Sequence, residues 1–67
     1  MTATIPHKAD MVAVEKAMSG KLVDLNEDDR LALAIKGIEL GWTKHQLAAR
    51  MGVNSSTAAR YLRRAEA

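Results

Sequence analysis

Between residues 55 and 64 the chain places three hydroxyls, Ser55, Ser56 and Thr57, ahead of three guanidiniums, Arg60, Arg63 and Arg64. On a helix, these types in this order suit one chemistry. Small polar side chains at a helix start lie close to base edges or to a phosphate, where the dipole favours negative charge. A guanidinium fork matches O6 and N7 of guanine and grips a phosphate equally well. A helix so equipped is shaped for the major groove of DNA. Other chemistry finds no footing. The chain carries no Gly-rich phosphate loop, no Ser/His/Asp grouping and no room for a closed pocket, so no enzyme is expected. His7 and His45 stand alone and cysteine is absent, so no metal site, cofactor or disulfide is expected either.

A helix can read DNA only if a scaffold holds it, and the preceding residues supply one. Thr43-Lys44-His45-Gln46 is a capping box, in which the Thr hydroxyl and the Gln amide each bond the other residue's backbone N–H. It opens a short helix from Lys44 to Met51, with Leu47 and Met51 one turn apart and facing inward. Gly52 ends that helix because the turn needs a positive φ. Val53 plugs the turn and Asn54 caps a final helix from Ser55 to about Arg64, which frays toward Ala67. Two helices crossing steeply over so short a turn need a small residue at the crossing, and Ala48 sits there. Leu47, Met51, Val53 and Leu62 close the wedge.

Upstream, Asn26 caps a helix running to Leu40, with Glu27, Asp28 and Asp29 in its first turn against the positive end of the dipole. That helix stops at Gly41. Leu31, Ala34, Ile35 and Ile38 form one apolar stripe, while Leu33 and Leu40 lie on nearly the opposite side. A helix apolar on both sides must be covered on both sides. It is therefore expected between the C-terminal hairpin and an N-terminal helix, or against a second copy of the chain. The N-terminal helix is expected from about His7 to Ser19, with Met11, Val14 and Met18 on its apolar face and Gly20 ending it. Residues 1–6 are expected to be frayed, and residues 7–67 to form one domain.

Composition agrees with packed helices. The only aromatics are Trp42 and Tyr61, so the core must be built from Leu, Ile, Val, Met and Ala. Charge is segregated. Residues 1–41 hold five Lys/Arg and seven Asp/Glu, giving −2, whereas residues 42–67 hold five against one, giving +4. Basicity gathered on the hairpin points to an anionic partner there. No apolar run approaches the roughly 20 residues that cross a bilayer, and no signal peptide is evident. A cytoplasmic protein without a membrane partner is expected.

The spacing Leu47-Ala48-x3-Gly52-Val53, followed by Ser56-Thr57-x2-Arg60-Tyr61-Leu62, resembles the helix-turn-helix of bacterial and phage repressors. With the acid-capped helix 27–40 and the Gly41 joint, it is similar to the short DNA-binding proteins of actinobacteria and their phages, the immunity-repressor and Cro-like group. The resemblance covers about residues 26–64 and is loose before them. Carried over residue by residue, it implies base contacts from Asn54, Ser55, Ser56, Ala59, Arg60 and Arg63, with Arg60 foremost. It implies backbone contacts from Lys44, His45 and Gln46 across the groove, and from Thr57, Tyr61 and Arg64 beside it. Ala58 departs from the pattern, which usually has Val or Ile there pointing into the core.

Several of these residues have a plainer reading. Ser55 and Ser56 serve equally as helix-start residues, and Tyr61 serves equally as a half-buried core ring. Trp42 reads better as a staple between helices than as a platform for a base. The expected fold is all-α, about four helices with a C-terminal helix-turn-helix and no wing, since no length remains after residue 64. The expected function is sequence-specific binding of double-stranded DNA by a transcriptional regulator, a phage or mobile-element repressor that blocks polymerase by occlusion. Two alternatives stand beside it: a protein-interaction module, such as an antirepressor or polymerase-binding adaptor docking through residues 1–25, and an architectural recombination factor. A monomer or weak homodimer, able to pair on DNA, is expected.

Overall fold

The computed structural model describes residues 10–21 and 23–66. The expectations for residues 1–9 and for Ala67 lie outside the described residues, but Asp10 is extended and accepts from the N–H groups of Val12 and Ala13, so the first helix begins at Met11 rather than near His7. Four helices follow in order: α1 (Met11–Met18), α2 (Glu27–Leu40), α3 (Lys44–Met51) and α4 (Ser55–Glu66). The fold is all-α, with no strand among the described residues.

The caps explain the boundaries. Asn26 accepts from the backbone N–H of Asp29 while the Asp29 carboxylate accepts from the N–H of Asn26, so α2 opens with a capping box rather than a lone cap. At its far end the N–H groups of Gly41 and Trp42 bond the carbonyls of Ile38 and Gly37 around a left-handed Gly41, φ 76°. Thr43 and Gln46 form the capping box read from the sequence, and Gly52 closes α3 at φ 74°. Asn54 Oδ1 accepts from the N–H of Thr57 at 2.8 Å, which caps α4.

α2 lies in the middle, packed on α4, α3 and α1, while α1 and α4 do not touch. Its two-sided apolar pattern is thus covered from both sides within one chain. The exception is Leu40, which is 57% exposed at the last residue of α2, where the helix ends and the chain turns away. Half of the buried apolar residues described are alanines: Ala17, Ala32, Ala34, Ala48, Ala58 and Ala65. Such small side chains let helix axes approach closely, and Leu33, Ile35, Leu47 and Val14 fill the remaining space. Two further details differ from expectation. α4 continues to Glu66 because Ala65 is fully buried and holds the last turn down. The buried face of α1 is Val14 and Ala17, with Met18 half-buried, and Met11 and Val12 are exposed.

α1 is fixed by a charged side chain at each end. The buried Asp29 carboxylate accepts from the backbone N–H of Asp10, the residue that caps α1. Arg50 Nε donates to the Met18 carbonyl, 3.2 Å away, at the other end. An anion thus meets the positive end of α1 and a cation its negative end. The Arg50 guanidinium also lies 4.3 Å from the centre of the Trp42 ring. Trp42 in turn presses on Gly37, where an added Cβ would come within 2.9 Å of the ring. The staple expected of Trp42 is therefore made against the α2 backbone and Arg50.

Candidate nucleic-acid interface

α4 turns its core face to α2 and α3 through Ala58, Tyr61 and Ala65, all buried. At about 100° per residue the opposite face carries Ser56, Ala59, Arg60 and Arg63. Ser56, Arg60 and Arg63 are exposed and Ala59 is half-buried. Arg60 and Arg63 make no ion pair or side-chain hydrogen bond with the described residues. Among the described residues no other helix covers this face, since α1 packs on α2 and α3. Asn54 is exposed and Ser55 half-buried at the start of the helix. The Asn54 carbonyl oxygen is used in the cap, which leaves its NH2 group to face outward.

The backbone candidates divide into three sets. Lys44, His45 and Gln46 are exposed together on the first turn of α3, where the dipole adds positive potential to the Lys44 charge. Gln46 spends its Oε1 on the capping box and keeps its NH2 group. Thr57 is half-buried on the side of α4. Tyr61 and Arg64 differ from the reading of them as open phosphate donors. Tyr61 is a core ring, 4% exposed, and its hydroxyl donates to Glu27 Oε1 at 2.7 Å. Arg64 Nη1 donates to Glu27 Oε2 at 3.1 Å. Both donors converge on one carboxylate because Glu27, the first residue of α2, sits beside the last turns of α4. The two hydrogen bonds, Tyr61 first and Arg64 second, hold the Glu27 carboxyl below its ordinary value of 4.5.

Glu27, Arg60, Tyr61, Arg63 and Arg64 line an open groove of about 460 Å³ on this side of α4. No local signal marks Glu27 for this role. Glu27, Asp28 and Asp29 all read as first-turn acids, and nothing in their types tells which faces α4, which bolts α1 and which meets solvent.

The model of the homeodomain-like domain matches residues 24–67, which is the whole of α2, α3 and α4. The chain belongs to the homeodomain-like helix-turn-helix family. This is a DNA-binding family, and membership implies double-stranded DNA as the partner. No characterised protein and no solved structure matches the chain. The match thus carries the helix-turn-helix part of the resemblance and does not reach the actinobacterial and phage immunity repressors. The homeodomain-like match begins after α1, so the helix bolted by Asp29 and Arg50 is an addition to the matched unit. Among the described residues no helix is long and apolar enough to cross a membrane.

Proposed function

We propose that this homeodomain-like domain is a sequence-specific transcriptional regulator that places α4 in the major groove and represses by occluding polymerase. The observation that carries the reading is the outward face of α4, where Ser56, Ala59, Arg60 and Arg63 lie together with no partner for either arginine among the described residues. Arg60 and Arg63, one turn apart, are the base readers, with Asn54, Ser55, Ser56 and Ala59 beside them. Arg60 takes guanine by its fork, and Ala59 offers a methyl to a thymine methyl. Lys44, His45 and Gln46 take the phosphates on the far side of the groove, and Thr57 a phosphate near α4. A phage or mobile-element origin accords with the resemblance of the hairpin to phage repressors.

The described chain measures 26 × 26 × 18 Å, whereas the half-sites of a two-fold operator lie about 34 Å apart. One copy therefore fits one half-site, and a symmetric operator takes two copies pairing on DNA. Selection of bound fragments from a random duplex pool tests the reading. Enrichment of a short motif containing guanine is expected. Equal recovery of all sequences at low salt would reduce the protein to a non-specific binder.

A further inference from the structure

The groove beside α4 holds a contradiction that the DNA reading must resolve. Its wall carries three guanidiniums and a phenol, a donor set suited to a phosphate. Yet the strongest acceptor there is the protein's own Glu27 carboxylate, which takes the Tyr61 hydroxyl and Arg64 Nη1. We propose that the groove of Arg60, Tyr61 and Arg64 is a binding subsite for a DNA backbone phosphate, and that Glu27 occupies it in the free protein as an internal competitor. This rests on the proposed DNA reading and names a contact and a control within it.

Geometry supports exchange rather than permanent closure. The side chains of Arg64 and Glu27 are 57% and 68% exposed, so their pair is open to water and salt and is held weakly. Weak pairs are easily exchanged. A phosphate brings comparable charge and more acceptor oxygens to the same donors. The Arg64 guanidinium also lies 5.6 Å from the centre of the Tyr61 ring, a contact that does not involve Glu27 and can keep it aimed at the groove. The Arg30 charge falls on the Glu27 carboxylate as well and adds to the positive field at the site. Arg60 joins the subsite to the base-reading face, since it belongs to both. The competitor lowers affinity for all sequences alike, because a phosphate carries no sequence. Its effect is to suppress non-specific binding and so to raise the demand on the base contacts.

The test is a double-mutant cycle on the full chain, with Glu27→Gln and Arg64→Ala, and Glu66→Gln as a control of equal charge change on the exposed end of α4. Gln keeps an oxygen for the Tyr61 hydroxyl and removes the charge. Binding to a random-sequence duplex is measured across a salt series. Glu27→Gln is expected to tighten binding several-fold more than Glu66→Gln does and to steepen the log–log salt slope by about one unit. Arg64→Ala is expected to change wild-type affinity less than about two-fold and to remove the whole gain in the Glu27→Gln background. Additive effects of the two substitutions would overturn the proposal, as would a gain no larger than that of Glu66→Gln. Either outcome, with wild type still bound to duplex, defeats the competitor alone. Absence of duplex binding by wild type and by every variant at low salt would instead remove the DNA reading, and this proposal with it.

Discussion

The junction of α1 with α2 and α3 and the outer face of α4 use the same side-chain types to opposite ends. At the junction Asp29 and Arg50 are turned inward, one to an N–H and the other to a carbonyl of α1, and Arg50 is further fixed over Trp42. On α4, Arg60 and Arg63 have no ion-pair or side-chain hydrogen-bond partner among the described residues. Net charge alone does not mark an interface, because Arg50 contributes to the basic C-terminal third as fully as Arg60 does. What separates them is satisfaction. A charged group with its partners already in place supports the fold, and one without them is available to a ligand. Glu27 and Arg64 lie on the border between the two regions, paired but exposed.

If that division is right, substitutions at the junction should lower stability and leave DNA contacts alone, and those on α4 should do the reverse. The largest effect is expected at Asp29. Asp29→Asn leaves one oxygen for two backbone N–H groups, those of Asp10 and Asn26, at a buried site. A loss of about 2–3 kcal/mol follows from the usual worth of such charged hydrogen bonds. That is a large share of the roughly 3–5 kcal/mol available to so small a domain. Urea unfolding followed by circular dichroism measures it, and an unchanged midpoint would show that Asp29 does not bolt α1. Arg60→Ala should cost about 1–3 kcal/mol of binding to a selected site and relax preference at one base pair, with no change in the unfolding midpoint.

Arg50→Ala sharpens the contrast, because it removes an arginine from the same basic third. It should lower stability by about 1 kcal/mol through the lost stacking and hydrogen bond, and alter Trp42 fluorescence in the folded state. If it weakened DNA binding as much as Arg60→Ala while the fold kept its stability, satisfaction would be a poor guide to function here. The smallest of the binding effects is expected at Lys44. Lys44→Ala should weaken all sequences alike and lower the salt slope by about one unit, read from affinities over a salt series.

Much of this division was legible in the residues. Thr43 and Gln46, Gly41 and Gly52, Asn26 and Asn54 are local signals whose partners lie within a few positions, so the helix boundaries and turns could be read directly. The sandwiching of α2 followed from its two apolar sides. The outward face of α4 followed from the period of its helix once Ala58 and Leu62 were assigned inward. Long-range polar pairs were not legible. Arg50 with Met18 is separated by 32 positions, and Tyr61 with Glu27 by 34, and neither partner's type singles out the other. One missed contact did leave a trace. Gly37 interrupts a helix where glycine costs about 1 kcal/mol, which signals a close approach, and the Trp42 ring is what approaches.

The border residue Glu27 offers the finest test, through pH. Its carboxyl titrates below the ordinary 4.5 in the folded chain because Tyr61 and then Arg64 favour the ionised form. In the unfolded chain it returns to about that ordinary value. Folding therefore gains from these contacts at all pH values above about 4.5, and the gain is lost as pH falls through the lower folded value. Glu27→Gln carries no charge in either state and is flat in that window. The melting temperature of wild type should exceed that of the variant near about pH 6 and approach it near about pH 3, by a small margin since the group is exposed. Added salt should shrink the difference at the higher pH, because screening weakens the Arg64 pair. A gap that stays constant from one end of the range to the other would mean that the carboxylate is not held by Tyr61 and Arg64. Arg64 would then belong with Arg60 and Arg63 among the free arginines, and the border would vanish.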